Sequence, residues 1–411
     1  MTRCPPARTV QRFGRGAARS KLLAVLMLLV GILSWAEPAS ANFQAFVDRL
    51  WVDAQKRGVP RSVFNAAFDG VRPDPEVLAL TRKQPEFTST SAQYITKRAS
   101  DLRIEKGRLK AGELASLLKQ IERRYGVDPY VVLSVWGNET NYGGFLGGHS
   151  VIQALATLSY GGYRADYFRK ELLHALDILA QRHTDPKHMI GSWAGAMGHT
   201  QFMPSSFKAY AVDFDGDGRR DIWTNIADAL GSTANYLKVH GWRPGEAWGY
   251  EVVLPQGFNS RSAPATATLG QWQAMGLRRA NGQGFPRAGD VGRLLMPGGA
   301  SGPVFLVLPN FRVIKRYNNS DNYALAVGHL ADRVRGGGPF ATPWPEDQLL
   351  SQAERKEIQA LLGRLGYPIG TPDGKFGPQT RSAIRSFQEA KGLPASGNGS
   401  LAMLERLRTA Y

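Results

Sequence analysis

Two short stretches carry residues able to do chemistry. From Pro129 to Gly148 the chain reads PYVVLSVWGNETNYGGFLGG, and Glu139 is its single Asp, Glu, Lys, Arg or His. A lone carboxyl in an apolar run is a candidate general acid, because burial disfavours the anion and raises the pKa toward neutrality. The residues alone leave a second reading open, a core Glu bonded to a neighbouring amide. The other stretch is Asp213-Phe-Asp-Gly-Asp-Gly-Arg-Arg-Asp221. Carboxylates at loop positions 1, 3, 5 and 9, with Gly218 at position 6, make the first part of an EF-hand-type loop: hard oxygen ligands for Ca²⁺ and a glycine for the sharp turn. Arg219 offers its backbone carbonyl at position 7. Position 12 is Thr224 and not the bidentate Glu of a standard loop. A metal-free Asp/Gly turn capping the next helix is the other reading.

Certain elements must position these groups. Asp128-Pro129 is a helix start, an N-cap followed by proline at the first helical position. Val132, Val135, Trp136 and Glu139 then share one helical face. The helix should stop near Gly143-Gly144, which puts Glu139 in its last turn, where the dipole disfavours a negative charge. Helical periodicity also marks 42–125, 165–181 and 226–240, whereas β-like runs occur only at Val252–Leu254 and Pro303–Leu308. The body is thus expected to be mainly α with a small β element. Arg335–Asp347 (RGGGPFATPWPED) has the Gly/Pro content of a linker. Residues 348–411 read as a separate unit of three helices, near Ala353–Leu365, Pro378–Lys391 and Ser400–Arg408.

The N-terminus is a targeting segment. Arg3, Arg8, Arg12, Arg15, Arg19 and Lys21 precede the apolar run Leu22–Leu33, and Ala39-Ser40-Ala41 gives a cleavage signal before Asn42. The expected product is an exported, periplasmic protein cleaved after Ala41, with a retained inner-membrane anchor as the alternative. Cleavage removes Cys4, the one cysteine, so neither disulfides nor Cys–zinc sites hold the fold. It also removes six bases and one acid, leaving 45 basic and 33 acidic residues and a net charge of +12. Such a charge outside the cytoplasm fits an anionic lipid or cell-wall partner and not nucleic acid.

The segments WGNETNYG, QALATLSY (153–160), GSWAGAMGHTQFMPSSFKAYAVDFDGDG (191–218), ALGSTANYLKVHGW (229–242) and LPNFRVIKRYNNSDNYALAV (308–327) resemble the lytic murein transglycosylase B family. The resemblance covers about residues 42–333 and implies a lysozyme-like α+β catalytic domain. It implies that Glu139 of the ET motif is the only catalytic acid/base, cutting the β-1,4 bond between N-acetylmuramic acid and N-acetylglucosamine without water and leaving 1,6-anhydro ends. Ordinary glycosidases need a second carboxylate; here none is expected across the cleft. By the same resemblance Ser192, Gln201, Tyr236, Tyr317, Asn318 and Tyr94 bind substrate, and Asp228 joins Asp213, Asp215, Asp217 and Arg219 around a structural Ca²⁺. No cofactor is needed for the chemistry. Gly195 and Gly198 allow close backbone approach, to a ligand or in packing, whereas His149, His174 and His199 read as structural or exposed. Residues 350–408 resemble the peptidoglycan-binding type 1 domain, with Leu361, Leu362, Leu365, Phe376, Ala383, Ile384, Phe387, Leu393 and Leu404 as its core and Asp373-Gly374 in a turn.

The layout expected is a targeting segment at 1–41, a catalytic domain at 42–334, a linker at 335–347 and a wall-binding module at 348–411 acting as a tether. A monomer on peptidoglycan glycan strands is expected. The competing functions are a hydrolytic muramidase on the same scaffold and a non-catalytic wall-binding scaffold.

Overall fold

The computed structural model describes residues 39–81, 89–260, 262–299 and 301–410. The targeting segment lies outside them except for Ala39–Ala41, the start of the first helix. Among the described residues no helix is long and apolar enough to cross a membrane.

The chain divides into two compact units, residues 1–48 and 49–411. What is described of the first is the start of α1 (Ala39–Lys56). The second holds the remaining elements. Its helices run α2 (Arg61–Phe68), α3 (Pro75–Leu80), α4 (Ser91–Arg98), α5 (Asp101–Glu113), α6 (Ala115–Tyr125), α7 (Pro129–Thr140), α8 (Val151–Tyr160), α9 (Ala165–Ala180), α10 (Pro204–Tyr210), α11 (Ile226–Val239), α12 (Leu269–Ala274), α13 (Pro309–Tyr317) and α14 (Asp321–Arg335). The C-terminal module adds α15 (Gln352–Arg364), α16 (Pro378–Ala390) and α17 (Leu401–Arg408). The protein is mainly α, as expected.

Helix α7 is the centre. Asp128 Oδ1 accepts from the Tyr130 amide at 2.9 Å and Pro129 opens the helix. The single apolar face anticipated from spacing is too modest, because every residue from Val131 to Asn138 is buried. Helices α5, α6, α11 and α14 all pack on it, and such an enclosed helix has no polar face.

The β element is larger than the two runs legible in the sequence. An antiparallel sheet of five strands has the order β4 (Ala267–Thr268), β6 (Val291–Leu295), β7 (Val304–Val307), β3 (Gly249–Val253), β5 (Arg278–Arg279). Two of these strands, β4 and β5, are two residues long, and half-exposed β6 (VGRLL) carries Gly292 and Arg293 in its middle, so no alternating apolar pattern marks them. A second pair, β1 (His149–Ser150) with β2 (Ile190–Gly191), joins the loop after α7 to the turn that follows α9.

The C-terminal helices fall within a residue of their expected ends. Leu361, Leu362, Ala383, Ile384, Phe387 and Leu404 are buried in one cluster with Leu350, Ile358, Met403 and Leu407, and Leu365 and Phe376 pack on it. Leu393 is only half-buried and lies outside that cluster. Asp373 Oδ1 accepts from the Lys375 amide at 2.8 Å and Gly374 has φ +78°, so the pair does serve the turn.

Residues 335–347, expected as a Gly/Pro linker, find partners on the catalytic domain. Phe340 stacks on His329 at 3.8 Å and meets Phe305 edge-on at 5.0 Å. The Glu251 carboxylate accepts from the Ala341 and Thr342 amides, each at 2.8 Å. Gly and Pro here shape a strap laid along the catalytic domain, because its amides and its one phenylalanine find partners there.

Candidate active site

Glu139 is half-buried at the next-to-last position of α7. Asn141 then takes φ 53°, Tyr142 φ 56° and Gly143 φ 74°. Two consecutive non-glycine residues in the left-handed region store strain directly after the carboxyl, the kind of place where function retains it. Helix α7 therefore ends at Thr140, three residues before the glycines. Thr140 Oγ1 donates toward the carbonyls of Trp136 (3.3 Å) and His199 (3.2 Å) and accepts from the Gly143 amide at 3.2 Å. Trp136 Nε1 donates to His199 Nδ1 at 3.0 Å. His199 is thus a buried, neutral packing partner that ties α7 to the 191–203 turn, as its structural reading anticipated.

The negative end of α7 is not left bare beside Glu139. Arg98 Nη1 donates to the Asn138 carbonyl at 2.6 Å, and Lys106 Nζ to the Asn141 carbonyl at 2.8 Å. One cation thus bonds a carbonyl in the last turn of α7 and the other that of its C-cap residue, where they offset the negative end of the dipole. The field at Glu139 is set by tertiary neighbours as much as by its own helix.

One of those neighbours was not anticipated from the sequence. Tyr323, buried in α14, donates its hydroxyl to Glu139 Oε1 at 2.6 Å. Burial, then the charge of Glu139, pushes the Tyr323 phenol well above its ordinary range, so it stays a donor. Tyr317, at the end of α13, is raised the same way by burial and then by Glu139. Tyr94 on α4 also acts on Tyr323, and Tyr236 on α11 acts on Tyr317. Tyr323 and Tyr317 thus act on the carboxyl, with Tyr94 and Tyr236 next to them; the last two and Tyr317 are among the residues expected to bind substrate. Tyr323 stands in the segment SDNYALAV already singled out. Its signal was a lone phenol on an apolar helix, the counterpart of a lone carboxyl on α7.

The other expected residues have definite places. The Tyr317 hydroxyl donates to the Thr200 carbonyl at 2.8 Å, and that of Tyr236 to the Arg316 carbonyl at 2.5 Å. Tyr236 is buried, with one ring face on His240 at 4.1 Å and its edge toward Tyr317 at 4.9 Å. Ser192 Oγ accepts from the Ala194 and Ala196 amides at 3.3 and 3.1 Å and so shapes its own turn. Gln201, with φ 50°, donates from Nε2 to the carbonyls of Leu146 and Gly198, both at 3.0 Å, pinning the loop after α7. Asn318 is exposed at the C-cap of α13. For the two glycines packing is the answer: a Cβ on Gly195 would meet the Leu155 side chain at 2.4 Å, and one on Gly198 the Ile222 carbonyl at 2.5 Å.

In the acidic loop Asp213, Asp215, Asp217 and Asp228 each bring one carboxylate oxygen within 4.8 Å of the others. Asp228 is fully buried at the start of α11, and its oxygens accept from the Phe214 and Asp221 amides, each at 2.7 Å. Burial first, then the charges of Asp215 and Asp213, raise its pKa. Asp221, at position 9, is turned away: it accepts from the Trp223 and Thr224 amides, each at 2.9 Å. Four converging hard oxygens, mutually repelling, fit a divalent cation such as Ca²⁺. Arg219 is exposed, and its guanidinium lies 3.5 Å from Asp217.

A half-buried carboxyl at a strained helix end, bonded to a buried phenol inside a helical body with a small sheet, is placed as a general acid would need to be. Residues 42–332 match the transglycosylase SLT domain family, and the chain belongs to that family. Residues 351–407 match a putative peptidoglycan binding domain. The membrane-bound lytic murein transglycosylase B of Escherichia coli K12 is 34% identical over 308 residues, 71% of this chain and 82% of that protein. SltB3 of Pseudomonas aeruginosa, solved in complex with NAG-anhNAM-pentapeptide, is 46% identical with a TM-score of 0.72, covering 89% of this chain and 99% of that one. The E. coli lytic transglycosylase Slt35 in complex with calcium is 32% identical with a TM-score of 0.61, covering 74% and 94%.

Proposed function

We propose that this chain is an exported peptidoglycan lytic transglycosylase in which Glu139 alone serves as acid and then as base. The carboxyl protonates the glycosidic oxygen between N-acetylmuramic acid and N-acetylglucosamine, and the C1–O bond breaks. The 2-acetamido oxygen of the muramic residue stabilises the cationic anomeric carbon. The Glu139 carboxylate then takes the proton of the C6 hydroxyl, whose oxygen closes on C1 to give the 1,6-anhydro end. No water enters, so no second carboxylate is required.

The observation that carries this reading is the Tyr323–Glu139 hydrogen bond of 2.6 Å. It holds the Glu139 carboxyl against a buried phenol. The C-terminal module holds the enzyme on its insoluble substrate, and Ca²⁺ in the Asp213–Asp228 loop is a structural clip. The site of action is the periplasm, reached through the segment before Asn42.

Mass spectrometry of sacculus digests tests the proposal. Wild type should release anhydro-muropeptides, and Glu139→Gln should release none while still sedimenting with sacculi. Reducing N-acetylmuramic ends would mean a hydrolase; binding by the wild type without release would mean a scaffold.

A further inference from the structure

Helix α4 stands between the C-terminal module and the acid. At its start Thr90 and Gln93 form a reciprocal cap: Thr90 Oγ1 accepts from the Gln93 amide at 3.2 Å, and Gln93 Oε1 from the Thr90 amide at 3.1 Å. Each side chain has a donor left over, and each uses it on the first residues after the strap. The Thr90 hydroxyl donates to the Gln348 carbonyl. Gln93 Nε2 donates to the carbonyls of Leu349 (3.2 Å) and Leu350 (2.8 Å).

Those carbonyls belong to the module. Leu350 is buried in the module's core, and its carbonyl also accepts from Arg355 Nη1 on α15. Asp347, three residues earlier and buried, pairs with Arg381 of α16 at 2.8 Å. The Leu350 oxygen is therefore held from the catalytic side by Gln93 and from the module side by Arg355.

The far end of α4 reaches the site. Arg98 bonds the Asn138 carbonyl one residue before Glu139 and lies over the Tyr94 ring at 5.4 Å. Tyr94 neighbours Tyr323, and α4 packs along α14, which carries that tyrosine.

We propose that Gln93, with Thr90, is a positioning residue for catalysis: their hydrogen bonds to residues 348–350 let the docked C-terminal module set the place of α4, and through Tyr94 and Arg98 the geometry around Glu139. The module is then a structural part of the active site as well as a wall anchor. This rests on Glu139 being the acid.

Gln93→Glu in the full-length chain separates the two roles of the side chain. It keeps the acceptor that caps α4 and replaces the Nε2 donor with a carboxylate facing two carbonyls. On a soluble muropeptide tetrasaccharide, kcat should fall about tenfold with KM little changed, the loss of one or two hydrogen bonds' worth of positioning. Deuterium uptake should rise both in 346–351 and in 91–98. Thr90→Ser, which retains cap and donor, should behave as wild type, and Thr90→Val should resemble Gln93→Glu. Unchanged kcat in Gln93→Glu, with or without faster exchange of the strap, overturns the proposal. A wild type inactive on this substrate and on sacculi overturns the functional reading instead.

Discussion

The Tyr323 hydroxyl lies 2.6 Å from Glu139 Oε1, joining helix α14 to the end of α7 across 184 residues of sequence. Both helices are apolar at this contact, so the pair is a polar island whose partners orient each other. Tyr323→Phe should keep the fold and lower kcat roughly 10- to 100-fold, the range set by one hydrogen bond to a charged group. Steady-state turnover of soluble muropeptides with a circular-dichroism control checks this. A wild-type rate in the Phe variant would remove Tyr323 from the machinery.

The acidic loop makes a separate prediction. Four carboxylates facing one another repel until a cation enters, so Ca²⁺ should raise the melting temperature by several degrees and chelator should reverse the shift. Asp228→Asn should abolish the response, because Asp228 is the buried member that closes the cluster. Turnover at saturating substrate, measured well below the melting point, should not depend on Ca²⁺.

Stability should decline on the acid side through His329. It is buried against Phe340, and burial, aided by Arg333, lowers its pKa from 6.5 to about 3. The unfolded histidine takes a proton below about 6.5 and the folded one does not until about 3. Stability is therefore lost as pH falls through that window, at up to about 1.4 kcal/mol per pH unit. His329→Gln should flatten the decline, whatever it costs at neutral pH. Urea midpoints from pH 7 to pH 4 measure the difference in slope.

Gly198 tests the packing reading of the 191–203 turn. It has φ +60° and a Cβ would sit 2.5 Å from the Ile222 carbonyl, which a backbone group cannot yield cheaply. Gly198→Ala should cost roughly 2 kcal/mol or more in a urea titration. It should also lower activity, since Gln201 bonds the Gly198 carbonyl and the loop after α7 together.

The helices with strong start signals were legible from spacing alone. Asp128-Pro129 opens α7, and the C-terminal helices begin and end within a residue of their capping and glycine signals. The two-residue strands β4 and β5 and half-exposed β6 were not, because pairing within the sheet creates them and no local pattern announces them. The strap at 335–347 shows the same limit: composition reports that a segment bends, and only the neighbouring surface decides whether it is held.

The lone carboxyl of the apolar run was determined by the sequence itself. Its residue type, its isolation and its place in the last turn of α7 are local facts, as are the acids of the Asp213 loop. What Glu139 faces was decided by tertiary structure. Tyr323 and Tyr317 reach it from α14 and α13, Tyr94 and Tyr236 stand next to those two on α4 and α11, and Arg98 and Lys106 bond carbonyls at the end of α7. Hydrogen bonds and fields act over a few ångströms of space, so they follow the packing of helices and not the order of residues along the chain.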